Sequence, residues 1–138
     1  MTTPQLFRVI VQVAGIDRAA AFYAGVLGMP GERVSAGRHY FDCGGTILAC
    51  VDPQGDGDGT QPAPLPDHLY LSVDDLERVR AAIEAGGGKL APGDVHGDPA
   101  AQIARRPWGE ESFYALDPFE NPLCFVRRGS EFRGRSRR

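Results

Sequence analysis

Few side chains in this sequence are equipped for chemistry on a small molecule. The polar candidates are Arg8, His39, His68 and Glu110, and the apolar and aromatic ones are Phe7, Tyr40, Tyr70, Trp108, Phe113 and Tyr114. Aromatic walls with a few convergent polar groups are what a small-molecule site needs. Trp108 differs from the other rings because it lies in RRPWGEE, a charged stretch marked by Pro and Gly, where ligand contact competes with core packing. Arg8 interrupts an otherwise apolar run, Leu6-Phe7-Arg8-Val9-Ile10-Val11, and strand alternation sets it on one side with Ile10 and Gln12. If that side lines a cavity, the guanidinium needs a partner, because a buried unpaired charge is prohibitively costly. The partner expected is a carboxylate, Glu110 first, or an anionic group of a ligand.

Other residues that resemble chemical motifs lack the spacing the chemistry requires. Cys43, Cys50 and Cys124 form no CxxC pair and are odd in number, so they read as buried free thiols. DGDG at Asp56–Gly59 begins like a calcium loop, but the closing glutamate is missing and proline fills its place. The triple glycine Gly86-Gly87-Gly88 follows a helix instead of opening one, so it is not a phosphate loop.

The elements that must position these residues come from a repeat. Phe7 to Gly28 reads as a strand, a turn and an amphipathic helix, and a shift of 60 positions carries Val13 onto Val73, Ile16 onto Leu76, Arg18 onto Arg78 and Gly28 onto Gly88. A second shift, of 75, sets Tyr40–Val51 against Ala115–Val126, with Asp42 on Asp117 and Leu48 on Leu123. Two echoes in one order imply two copies of a strand–helix–strands module. In the first copy, strands are expected over Leu6–Val13, Val34–Ser35, Arg38–Asp42 and Thr46–Val51, with Asp17 capping the helix and Gly44-Gly45 turning a hairpin. In the second, strands are expected over His68–Val73, Ala101–Arg105, Ser112–Asp117 and Leu123–Arg127. Asp74 and Glu77 have the spacing of a capping box, and Leu76, Val79 and Ile83 form a buried stripe.

The 138 residues suffice for one domain: module one over about 5–52, a Gly/Asp/Pro linker over about 52–66, module two over about 67–128 and a basic tail, 129–138. Arg127–Arg138 holds six arginines and one glutamate, which leaves nine basic and seventeen acidic groups, a net of −8, in the other 126 residues. An acidic body argues against nucleic acid as a partner, and the tail reads as a solvated terminus. No apolar run reaches membrane length and MTTPQLFR lacks a signal-peptide core, so a cytoplasmic protein without a membrane partner is expected.

Three stretches together resemble the vicinal oxygen chelate superfamily, which includes glyoxalases, bleomycin-resistance proteins and extradiol dioxygenases. They are RAAAFYAGVLGM, HLYLSVDDLERVRAAIEAGG and DPFENPLCFV, and the resemblance spans roughly residues 6 to 127. It implies an α+β fold: two βαβββ modules forming a curved, mostly antiparallel sheet with a concave cavity and the helices outside. It also implies a homodimer. Its metalloenzymes carry one ligand on the first and one on the last strand of each module. Those positions match Arg8, Ala49 (Cys50 if the register slips by one), His68 and Cys124, so one clear ligand remains of four. The resemblance also implies that the turn Asp117–Pro122 normally has glycine where this chain has Glu120.

The expectation is therefore a metal-independent protein binding a drug or metabolite, with no cofactor and no metal. Its ligand-binding residues would be Arg8, His39, Tyr40, His68, Tyr70, Trp108, Glu110, Tyr114 and Cys124. The alternative is a glyoxalase-like lyase or isomerase, or a dioxygenase-related enzyme. That enzyme would be metal-free, with Arg8 as oxyanion clamp and His68 as base, or would have a divergent metal site. Whether the chain catalyses anything stays open at this point.

Overall fold

The computed structural model describes residues 2–134, so Arg135, Arg137 and Arg138 of the basic tail lie outside the described residues. The chain is α+β and divides into two compact units, Met1–Leu65 and Pro66–Arg138.

In the first unit, β1 (Arg8–Gln12) leads into α1 (Ile16–Leu27), followed by β2 (Glu32–Ser35), β3 (Arg38–Cys43) and β4 (Thr46–Val51). The sheet order is β1-β4-β3-β2, with β1 parallel to β4 and the other pairs antiparallel. Val11, Leu48, Cys50 and Phe41 are buried, as are Ala19, Phe22, Tyr23 and Val26 of α1. Gly28 ends α1 in a left-handed conformation, φ 74°, donating its N–H to Ala24 O. Gly15, not Asp17, is the cap of α1, at φ 141° and without a side-chain cap bond. Asp17 sits one residue inside the helix and pairs instead with Arg33 at 2.7 Å.

In the second unit, β5 (Leu69–Val73) leads into α2 (Leu76–Ala85), then the two-residue strands β6 (Lys89–Leu90), β7 (Asp94–Val95), β8 (Asp98–Pro99) and β9 (Ala104–Arg105), and finally β10 (Glu111–Leu116) and β11 (Pro122–Arg127). The main sheet runs β5-β11-β10-β6, with β9 also on β10, and β5 is parallel to β11. Leu76, Val79 and Ile83 of α2 are buried, as are Phe113, Leu123 and Phe125 of the sheet, where Phe113 and Phe125 stack at 5.5 Å. Asp75, not Asp74, caps α2, accepting from Arg78 N at 3.0 Å. Asp74 is drawn to Arg128 and Glu77 to Arg127, which takes the expected capping box apart. The expected strand Ala101–Arg105 shrinks to Ala104–Arg105, and the β7–β8 hairpin forms before it across the turn His96-Gly97, where φ is positive at both residues.

The pairing registers carry both sequence echoes. Val9↔Leu48 in the first unit becomes Leu69↔Leu123 in the second, and Ile10↔Ala49 becomes Tyr70↔Cys124. The next strand breaks the constant shift. Tyr40 pairs with Ala49 and Tyr114 with Cys124, a shift of 74, because the turn Asp117–Asn121 is one residue longer than Cys43–Thr46. Asp42 is therefore a strand residue paired with Ile47, whereas Asp117 begins a turn.

Candidate functional site

Because successive side chains in a strand point to opposite faces, the register of the second unit decides what meets on the face away from Phe113, Leu123 and Phe125. Tyr70, Cys124 and Tyr114 form one row across three strands, and Ser72, Val126 and Ser112 form the next. His68, one residue before β5, lies edge-on to Tyr114 at 5.1 Å and 6.4 Å from Tyr70. Cys124 and Tyr114 are buried, while the Tyr70 ring is 57% exposed. Burial pushes the Cys124 thiol up to about 12 and also raises Tyr114 and Tyr70. At neutral pH this face therefore has polar groups but no thiolate or phenolate.

The turn after β9 adds the rest. The Arg106 N–H donates to Glu110 O at 2.7 Å and the Gly109 N–H to Arg106 O at 2.8 Å, which holds Trp108 at the tip. The Trp108 indole Nε1 donates to Glu110 Oε1 at 2.7 Å, and Phe132 N donates to Glu110 Oε2 at 2.9 Å. The Glu110 carboxylate is thus held by two neutral donors. His96, left-handed at φ 50°, sits edge-on to Trp108 at 5.2 Å. A groove of about 670 Å³ opens here, lined by Tyr70, Ser72, Trp108, Glu110, Val126 and Phe132 among others. The start of the tail is part of its wall. Ser130 Oγ accepts from Glu111 N, and Glu131 and Arg133 also line the groove, so this segment is tied down.

Of the sequence-derived candidates, Tyr70, Trp108 and Glu110 come together in this groove, and His68, Tyr114 and Cys124 share the adjoining sheet face. Phe113 points to the opposite, buried side. In the first unit Arg8 is exposed, with its guanidinium over Phe7 at 4.8 Å and over Tyr40 at 5.6 Å. Tyr40 lies in the row Ile10–Ala49–Tyr40, and its hydroxyl accepts from Arg38 Nη1 at 2.8 Å. His39 points the other way, buried against Phe41, with Nε2 2.9 Å from Pro30 O and Nδ1 accepting from Arg33 Nε. The carboxylate expected to answer Arg8 is held by Trp108 and Phe132 instead.

The arginine that is buried is Arg106, a residue the sequence reading passed over. It is 2% exposed, donates from Nε to Ser112 Oγ and from Nη2 to Gln102 O and Ser112 O, and covers the Tyr114 ring at 5.2 Å. Its Nη1 has no hydrogen-bond partner. The one signal in the sequence was strand alternation in Arg105-Arg106, which turns one of two adjacent arginines inward.

The resemblance implies a divalent metal, and the residues at its four positions do not fit one. Arg8 is a fixed cation and Ala49 offers a methyl group, which leaves the His68 imidazole and the buried Cys124 sulfur, fewer donors than a protein metal site uses. Among the described residues no group of three His, Cys, Asp or Glu side chains is gathered to hold a metal ion. No helix among them is long and apolar enough to cross a membrane.

Comparison with known proteins agrees with this architecture. The model of the Glyoxalase/Bleomycin resistance protein/Dioxygenase superfamily matches residues 5–125. Among solved structures, a glyoxalase/bleomycin resistance protein from Albidiferax ferrireducens is similar at TM-score 0.67 and 19% identity, covering 88% of this chain and 96% of that one. A lactoylglutathione lyase from Agrobacterium tumefaciens is similar at TM-score 0.63 and 22% identity, covering 94% and 100%. An oxidase reaches TM-score 0.69 at 23% identity, covering 94% and 98%. Identities this low carry the fold and no more. No curated protein sequence matches the chain.

Proposed function

The chain belongs to the Glyoxalase/Bleomycin resistance protein/Dioxygenase superfamily, and from that premise we propose that it binds a small organic molecule without a resident metal. The observation that carries this reading is the 670 Å³ groove, in which the aromatic rings of Tyr70, Trp108 and Phe132 surround the Glu110 carboxylate. Its volume suits a drug-sized molecule. Aromatic faces beside a carboxylate held only by neutral donors favour a planar ligand with a cationic or strongly donating group. The side chains at the four superfamily positions support metal independence, since Arg8 and Ala49 offer no ligand atom.

Trp108 is the only tryptophan, so its fluorescence reports on the groove directly. Titrating the protein with a panel of planar aromatic amines should give a saturable change in emission, absent in Tyr70→Ala combined with Glu110→Gln. In parallel, Zn²⁺, Ni²⁺, Mn²⁺ and Fe²⁺ should leave the melting temperature unchanged. Stoichiometric metal retained through purification and lost in His68→Ala would replace this reading by the enzymatic one. The protein is further proposed to act as a homodimer in the cytoplasm, with no nucleic-acid or membrane partner. Exposed Leu6, Phe7 and Ile10 support association, and a concentration-independent monomer mass in light scattering would refute it.

A further inference from the structure

The Arg106 guanidinium is bonded to neutral groups. Its side-chain hydrogen bonds go to a hydroxyl and two carbonyls, and its face is covered by Tyr114. The thiol of Cys124, which pairs with Tyr114 across the sheet, keeps its proton because burial holds it near 12. The carboxylates that follow in the chain are committed elsewhere: Glu110 to Trp108 Nε1 and Phe132 N, and Glu111 to Arg127 Nε at 2.7 Å. What remains is a fixed positive charge, 2% exposed, with Nη1 unbonded. An ion buried with no counter-charge costs several kcal/mol, and an arginine cannot escape by losing its proton. A fold retains such a group when something outside the chain completes it.

We propose that Arg106 is the receptor of an anion-binding subsite, in which Nη1 takes an oxyanion, a carboxylate or phosphate group. Nε and Nη2 anchor the guanidinium plane to Ser112 and Gln102, so its free donor is fixed in direction before the anion arrives. Arg106 lies within the segment from Gly93 to Gly109, which is built from two-residue strands and turns. Such a segment opens at lower cost than the main sheet, which gives a fully buried donor an entry route. The proposal stands apart from the groove reading, since neither Trp108 nor the Glu110 carboxylate takes part in it.

The test is the melting temperature of the wild-type protein and of Arg106→Met, measured against sodium acetate and sodium phosphate, with chloride holding the ionic strength constant. The expected result is a saturable rise for the wild type of about 3 °C or more at tenfold excess over the dissociation constant. Arg106→Met should show no rise. A rise with acetate and not phosphate identifies a carboxylate subsite, and the reverse a phosphate one. A flat response to both anions overturns the proposal, as does a rise that persists in Arg106→Met. If Arg106→Met does not fold, the wild-type arginine Nε–H resonances decide instead. The one that is lost in Arg106→Lys should shift saturably with the anion, and its failure to move refutes the subsite.

Discussion

Glu120 offers the sharpest test of the physical reasoning. The turn is fixed by its neighbours. Asp117 Oδ1 accepts from Phe119 N at 2.8 Å and Asn121 N at 2.9 Å, Asn121 Nδ2 donates to Asp117 Oδ2 at 2.9 Å, and both residues are buried. Glu120 lies between these anchors and has no freedom to relax, so it takes φ 71°, the left-handed region that glycine favours. That conformation costs a residue with a Cβ roughly 1–2 kcal/mol. Against this, Glu120 pairs with Lys89 at 3.5 Å, but the two side chains are 59% and 71% exposed. A pair so solvated contributes on the order of 0–1 kcal/mol. Glycine also raises the entropy of the unfolded chain, at about 0.5–1 kcal/mol. These terms nearly cancel in a simple Glu120→Gly comparison, so the informative perturbation is a pair. Glu120→Ala removes the ion pair and keeps the strain; Glu120→Gly removes both. The Gly variant should be the more stable of the two by roughly 0.5–1 kcal/mol, the strain relieved less the glycine entropy term, a melting-temperature gap of about 2–4 °C. Calorimetry of both variants at low and at 0.5 M salt measures it. A Gly variant no more stable than the Ala variant would refute the claim that backbone strain is stored here.

Three further outcomes are expected. Replacing Arg8 with Met should lower stability by less than about 1 kcal/mol, because the lost contacts are two exposed cation–π pairs; a larger loss in urea unfolding would mean that Arg8 is structural. Stability should fall as pH rises from 9 toward 12, since the unfolded chain releases the Cys124 proton above the ordinary thiol value of 9.0 while the native state holds it to about 12. Each such group contributes a slope of up to about 1.4 kcal/mol per pH unit, and Cys124→Ala should flatten the alkaline limb of a urea-midpoint titration without removing it, because Tyr70 and Tyr114 shift in the same direction. Replacing Asp75 with Ala should destabilise α2 by about 1 kcal/mol and Asp74→Ala by less, because only Asp75 caps the helix; equal losses in thermal melts would contradict the assignment.

The two helices, the long strands and the repeat were legible because they rest on periodicity. Leu76, Val79 and Ile83 mark a helical stripe whatever surrounds them, and the echoes of 60 and 75 reappear as equivalent pairings of β1 with β4 and of β5 with β11. What was not legible depends on one-residue choices between near-equal alternatives. Asp74 and Asp75 are both good caps, and the choice between them turns on Arg128, 54 positions away. The longer second turn moves β10 by one residue, which sets Tyr40 and not His39 at the place of Tyr114. A shift of one reverses faces, so His39 ends among the core rings while Tyr40 stays beside Arg8. The β7–β8 hairpin and the groove around Trp108 come from turns whose partners are distant, such as Phe132 with Glu110, and short-range pattern does not reach them.

The two arginines carry the same lesson at the level of function. Reading Arg8 as a buried charge in need of a carboxylate was sound electrostatics applied to the wrong residue. β1 is an edge strand, and on its face with Ile10 the guanidinium reaches solvent and two aromatic rings, so no counter-ion is required. Arg106 meets the stated condition in full. It is held at the edge of β10 by Ser112, closed over by Tyr114, and hydrogen-bonded to a hydroxyl and two carbonyls. A fold that needed only packing at this point would gain by replacing the charge with an apolar residue of similar volume, since buried ions without partners are net destabilising. Recognition of a negative group therefore falls to Arg106, and the face around Arg8, Tyr40 and Ile10 is left to act as a surface.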